Sequence, residues 1–158
     1  MKIQKLILLS FTHLSMLAFG FIIGIYLLPI LIAPPSPTAA DIKAIALQAE
    51  YRTEFTRDLK GSDLLHWGEG RVSLSQEYIT LMGELAPGPE YKLYLSPKFV
   101  ETEAEFELLK PSMQLVGDVD TFDNFMVKLE ASVKLSQFNT VVVWCEAFGE
   151  FITSAKYR

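Results

Sequence analysis

The run Thr140–Arg158, TVVVWCEAFGEFITSAKYR, decides the fold class. β-Branched and aromatic residues crowd both halves and Gly149 divides them, which predicts strands over Thr140–Phe148 and Glu150–Tyr157 with a tight join. The single cysteine, Cys145, lies in the first strand. Period-two alternation places it on one face with Val141, Val143 and Ala147, and sends Trp144 and Glu146 to the other. A thiol in that setting either reacts with an outside partner or packs as a small hydrophobe, free cysteine being among the most buried residue types. If it packs, a hydroxyl there would lack a partner, so Cys145→Ser should cost more than Cys145→Ala. Trp144 then anchors a second layer, with an indole N–H that needs an acceptor.

The same short alternation recurs upstream. Tyr51, Thr53 and Phe55 alternate with polar neighbours and suit an opening strand, although the helix before them could continue. That helix is expected from an Asp41 cap to about Gln48, carrying Ile42, Ile45 and Leu47. Strands follow at Arg71–Ser75, Tyr78–Leu85 and Tyr91–Leu95, separated by Lys60-Gly61-Ser62-Asp63 and Pro87-Gly88-Pro89 as turns. Thr102 with Glu105 three residues on forms a capping box for a helix to about Leu109, a strand being the alternative for those spaced glutamates. Met113–Val119 and Asn124–Glu130 complete the set. The expected fold is mostly β, an antiparallel sandwich (jelly-roll or barrel-like) of seven to eight strands, with connections too short for parallel crossovers.

The N-terminal fifth has a different character. Leu6–Ala33 contains no Asp, Glu, Lys or Arg, and as a helix it would reach roughly 40 Å, beyond the ~30 Å hydrocarbon core of a bilayer. Tilt, a bend at Pro29 or projection into the interface absorbs the surplus. Thr38-Ala39-Ala40 would serve a signal peptidase, but signal h-regions span only ~7–15 residues, so the run reads as an uncleaved anchor. Lys2 and Lys5 precede it and no basic residue follows until Lys43. The positive-inside bias therefore puts the N-terminus in the cytoplasm and the rest in the periplasm or outside the cell. His13 falls inside the run and reads as interfacial. The expected organisation is residues 1–33 as cytoplasmic end and anchor, 34–50 as a spacer and short helix, and 51–158 as the exported domain. Ala33-Pro34-Pro35-Ser36-Pro37-Thr38 should be stiff and extended, lifting the domain off the bilayer.

Without Lys2 and Lys5 the chain holds 12 basic against 19 acidic residues, a balance of −7. That sign excludes nucleic acid and anionic lipid headgroups as partners of the outer portion, since both need a positive footprint. Glu101, Glu103, Glu105 and Glu107 read as a solvated face.

Three elements in order carry a family resemblance: His66-Trp67-Gly68-Glu69-Gly70, then Gly88-Pro89-Glu90-Tyr91-Lys92-Leu93-Tyr94-Leu95-Ser96, then Val141-Val142-Val143-Trp144-Cys145 with Phe148. From about Phe55 to Arg158 the chain resembles the DM-thirteen domain family, named for a presumed electron-transfer role. The resemblance implies a β-sandwich and a cysteine that does redox work. Family members often accompany DOMON domains, which this sequence lacks, so no haem carried there is implied.

The residues themselves narrow the chemistry further. One cysteine forms no intrachain disulfide, which removes thioredoxin-like dithiol exchange. There is no C-x-x-C-H for c-type haem, no second exported histidine for blue copper, and no G-x-S-x-G or H-E-x-x-H motif. A zinc site would need His66, Cys145 and two carboxylates, an arrangement that no spacing signals. A b-type haem on His66 with Met82, Met113 or Met126, or thiol chemistry at Cys145, survives. No cofactor is identified. The candidate residues are Cys145 as the redox centre, with His66 and Trp144 as cofactor-binding candidates; glycines 68 and 70 fit either a ligand-facing rim or a bend into a strand, while Tyr91, Tyr94 and Pro89 read as packing. Two functions follow: a membrane-tethered redox module with a redox partner protein, or a non-catalytic binding or interaction module of the envelope in which Cys145 is core. A hydrolase using surface carboxylates is a distant third.

Overall fold

The computed structural model describes residues 2–158. It opens with one helix, α1 (Lys2–Ile32), which is 31 residues of almost wholly apolar sequence, long enough to cross a membrane and with none of its side chains buried. Residues 33–38 run without regular structure. They do not lift the domain away. Asn124 Nδ2 donates to the Pro37 carbonyl at 3.2 Å, and Leu28, Pro29 and Ile32 at the end of α1 face the Gly88–Tyr91 segment. The spacer thus folds back and sets the domain beside the helix end.

The helix α2 (Ala39–Ala46) starts earlier than expected, because Thr38 and not Asp41 is its cap. Thr38 Oγ1 accepts from the Asp41 amide at 3.2 Å and the Asp41 carboxylate accepts from the Thr38 amide at 3.3 Å, a reciprocal capping box. It packs on the first sheet through Ile42, which is 2% exposed.

Eight antiparallel strands then form two four-stranded sheets. They are β1 (Tyr51–Phe55), β2 (Gly68–Leu74), β3 (Tyr78–Leu85), β4 (Tyr91–Ser96), β5 (Gln114–Val119), β6 (Asp123–Lys128), β7 (Thr140–Cys145) and β8 (Glu150–Lys156). One sheet has the order β1-β2-β3-β6, the other β5-β4-β7-β8. This is the expected sandwich. The opening segment is a strand, so the helix does not continue into it. Between β4 and β5, α3 (Glu103–Leu109) is also a helix: Thr102 Oγ1 caps the Glu105 amide, while the Glu105 carboxylate reaches one residue further back, to the Glu101 amide at 2.8 Å.

Alternation along the strands fills two cores. Val72, Leu74, Ile79, Leu81, Leu93, Val141 and Val143, all fully buried, lie between the sheets. The outer face of the second sheet is covered in turn by α3. There Phe106 stacks on Trp144 with ring centroids 3.9 Å apart and 9° between planes, and Tyr94, Val142 and Phe151 close the cluster. Trp144 anchors this second layer as its strand parity requires. Its indole N–H, however, has no hydrogen-bond partner.

Candidate functional site

The two glycines of the His66–Gly70 run serve the backbone. A Cβ on Gly68 would stand 2.5 Å from Thr153 Cγ2 and 2.8 Å from Leu85 Cδ2, so the residue lets the sheets close on each other. Gly70 has φ +127°, open only to glycine, and pairs with Gly83 across β2–β3. The strand-bend explanation accounts for both. Trp67, half-buried, lies under the Arg57 guanidinium at 3.3 Å from the ring centroid.

His66 goes elsewhere. Asp63 ends the preceding turn and accepts from the amides of Leu65 and His66 at 2.7 and 2.8 Å. Its other carboxylate oxygen lies 3.0 Å from His66 Nδ1. Burial alone would raise the Asp63 carboxyl, but those two amides and the imidazole together hold it below the usual range. His66, with its ring held by Asp63, lines a cavity of about 710 Å³ at the end of the sandwich, walled also by Pro89, Tyr91, Cys145 and Phe148.

Cys145 closes β7. The strand stops here and not at Phe148, because residues 146–149 turn, with the Gly149 amide bonding the Cys145 carbonyl at 2.9 Å and Gly149 at φ +69°. Ala147 is therefore exposed and leaves the valine face, while Phe148 projects, 54% exposed. Cys145 itself is 3% exposed, inside the main core, and Sγ–H donates to the Pro89 carbonyl at 3.1 Å. Burial pushes its thiol above the ordinary value; the Phe148 and Ala147 amides pull the other way, and Glu150 and Glu90 add to the rise. Glu146 does point away, accepting from the Tyr94 hydroxyl and from Lys110 Nζ at 2.8 Å on the far face. Tyr91 packs in the core as expected, with its hydroxyl donating to the Ala86 carbonyl at 2.9 Å, and the residue also lines the cavity. Burial, with Cys145 and Tyr26 nearby, raises that phenol.

The fold thus brings Cys145 and His66 to one cavity and keeps Trp144 out of it, on the opposite face of β7. The methionines do not join them. Met82 lies near α2 on the first sheet, Met126 pairs opposite Thr80 on that sheet, and Met113 packs beside the Trp144 cluster. Among the described residues no three His, Cys, Asp or Glu side chains gather to hold a metal. Asp63, Pro89 and Phe148 were not legible as site residues, although an acidic residue three before a histidine in a turn is a signal that could have found the first.

The profile of the family described as Electron transfer DM13 matches residues 58–157. The chain belongs to the DM13 family. The match covers every strand except β1 and includes the whole cavity end of the DM13 domain. No curated protein and no solved structure matches the chain.

Two measurements test the thiol's surroundings in this DM13 domain. An unfolded thiol loses its proton near ~8.5, whereas the native one holds it longer, so stability present below that pH is lost as pH climbs toward the native value. Tyr91, Tyr94 and Tyr157, all raised chiefly by burial, extend the fall above ~10. Urea melts across this range should show Cys145→Ala flattening the fall between ~8.5 and ~10; an unchanged slope would place the thiol in solvent. The Pro89 carbonyl also revises the order of substitutions. A serine hydroxyl would have that acceptor, so Cys145→Ser and Cys145→Ala should converge at about 1–2 kcal/mol. A serine variant weaker than alanine by a further ~1 kcal/mol would mean that the shorter side chain misses the carbonyl.

Proposed function

We propose that this DM13 domain is tethered by α1 to the outer side of a membrane and works there in electron transfer, with Cys145 as the redox centre and His66 as its accessory. The observation that carries this reading is the meeting of the thiol and the Asp63–His66 pair in one cavity. Lys2 and Lys5 before the apolar run support the orientation. An oxidising compartment makes an unpaired thiol a liability unless it is shielded or used. With no second cysteine in the chain, Cys145 acts either by attacking a partner protein's disulfide, forming a mixed disulfide as the partner's other sulfur leaves as a thiolate, or by two-electron oxidation with peroxide to a sulfenic acid and water. Burial keeps the resting thiol protonated and only 3% exposed, so a reagent reaches it through the cavity that it borders.

The decisive experiment exposes native full-length protein to peroxide and traps with dimedone, beside a non-reducing gel of the protein in its own membrane. The expected result is a Cys145 adduct or a trapped partner, lost in Cys145→Ala, with a reporter fused after Arg158 active only outside the cytoplasm. A reporter active only in the cytoplasm overturns the orientation. A second reading, a binding module with Cys145 as wall and core, draws on the thiol's 3% exposure and its bond to Pro89. Absence of adduct, partner and visible absorption band, with Cys145→Ala fully active, would establish it over the redox reading.

A further inference from the structure

The cavity beside Cys145 has two walls of different origin. One is the end of the sandwich; the other is the flank of α1 from Ile22 to Leu27. Its volume, about 710 Å³, falls within the ~300–1,000 Å³ of small-molecule sites. Counting ~20 residues at ~1.5 Å each from Leu6 carries the helix through a ~30 Å core to about Ile25. Tyr26 follows at once, an aromatic at the level where aromatic belts sit. The mouth of the cavity therefore stands at the outer lipid interface. Leu65 and Phe148 border the cavity and are 58% and 54% exposed, and Leu64, next to Leu65 in the chain, is 93% exposed. Three such side chains are costly in water and are covered at a lipid interface.

The lining selects the occupant. No Lys or Arg borders the cavity among the described residues, so a carboxylate or phosphate would enter without a counter-charge. Two of the side-chain donors on the domain wall are already used, Tyr91 O–H on the Ala86 carbonyl and Cys145 S–H on the Pro89 carbonyl, while Tyr26 O–H on the α1 wall can donate to a ligand hydroxyl oxygen. With the Nδ1 proton directed at Asp63, His66 Nε2 is left as an acceptor. Glu150 also borders the cavity. The site is apolar with acceptors to satisfy, and its ligand is an uncharged, lipid-soluble molecule that brings a hydroxyl. We infer that the cavity takes a quinol from the bilayer, its ring and tail against α1 and Phe148 and a ring hydroxyl donating to His66 Nε2. This rests on the tethered electron-transfer reading and names the ligand class of that same site.

The test uses the full chain in lipid nanodiscs under anaerobic conditions. Decylubiquinol retained by loaded over empty nanodiscs is titrated, with decylubiquinone and decanoate as comparisons. Saturable quinol binding is expected, with the quinone and decanoate weaker by about tenfold or more, the worth of one lost hydrogen bond or an unpaired charge. His66→Ala should lower quinol affinity about tenfold. Leu65→Glu with Phe148→Glu, at exposed positions that leave the core intact, should lower it at least as much. Equal retention of quinone or decanoate, or unchanged retention by either variant, overturns the quinol site. Alkaline carbonate extraction is read separately: release of the chain from membranes removes the tether and this site together, while a retained chain without saturable binding removes the quinol site alone.

Discussion

Replacing Trp144 by alanine is expected to destabilise the domain by about 3–5 kcal/mol. The indole is fully buried, lies flat on Phe106 at 3.9 Å, and has the Lys110 ammonium 5.8 Å from its ring. Phe106, also fully buried, is held edge-on by Tyr94 at 5.2 Å, so removal of either partner leaves the other against a void. Phe106→Ala should therefore cost a comparable amount, and the double variant less than the sum, because the second truncation enlarges a cavity already made. Trp144→Phe separates packing from polarity. It keeps an aromatic ring in the stack and removes an N–H that has no acceptor, which costs ~1–3 kcal/mol while buried and unpaired. Its net effect should be under ~1.5 kcal/mol. Urea melts on the four variants decide the matter. A Trp144→Phe loss close to that of alanine would show that the indole N–H has a partner in solution.

The cluster also marks the limit of what the chain alone reveals. Strand parity at β7 placed Trp144 and Cys145 on opposite faces, since period two is enforced wherever both faces are buried. The same rule failed two residues past Cys145, where Ala147 was assigned to the valine face. Nothing in EAFG distinguishes three more strand residues from a turn closed by Gly149, because that choice depends on where β8 pairs. The Asp41 cap failed for a related reason: Thr38 lies three residues earlier, and Asp41 serves as well in the third helical position as at the cap. The cavity was legible only in part. His66 and Cys145 were singled out by residue type and motif, but they are 79 positions apart, and their meeting depends on the Gly68–Leu85 and Tyr91–Cys145 pairings. The apposition of α1 was not legible, since a Pro-rich spacer specifies stiffness and leaves direction to contacts such as Asn124 with Pro37.

That contact gives the second large effect. Gly83→Ala is expected to destabilise the domain by about 3 kcal/mol or more. A Cβ at Gly83 would stand 2.0 Å from the Glu69 carbonyl oxygen and 2.7 Å from Gly70 Cα, both backbone atoms of β2 that cannot step aside without breaking the β2–β3 ladder. Gly83 also sits in the irregularity between Leu81 and Glu84, where β3 changes register against β6. There its amide donates to Asn124 Oδ1 at 3.2 Å, and Asn124, in the left-handed region at φ +51°, passes its own amide on to the Pro37 carbonyl. The bulge is thus linked through one side chain to the spacer that positions α1. Asn124→Ala should separate the two consequences. It leaves the β2–β3 contact untouched and removes both side-chain bonds, so it should cost ~2–3 kcal/mol, part of it the strain of alanine at φ +51°, while freeing the spacer. Protease nicking at residues 33–38 in nanodiscs should then rise for Asn124→Ala at a temperature where the sandwich stays folded. Gly83→Ala should instead lower the melting midpoint of the whole domain. If Gly83→Ala melts like the parent chain, the close approach of β2 and β3 at Gly70 and Gly83 is absent in solution, and the register carrying both strands to the cavity end must be redrawn.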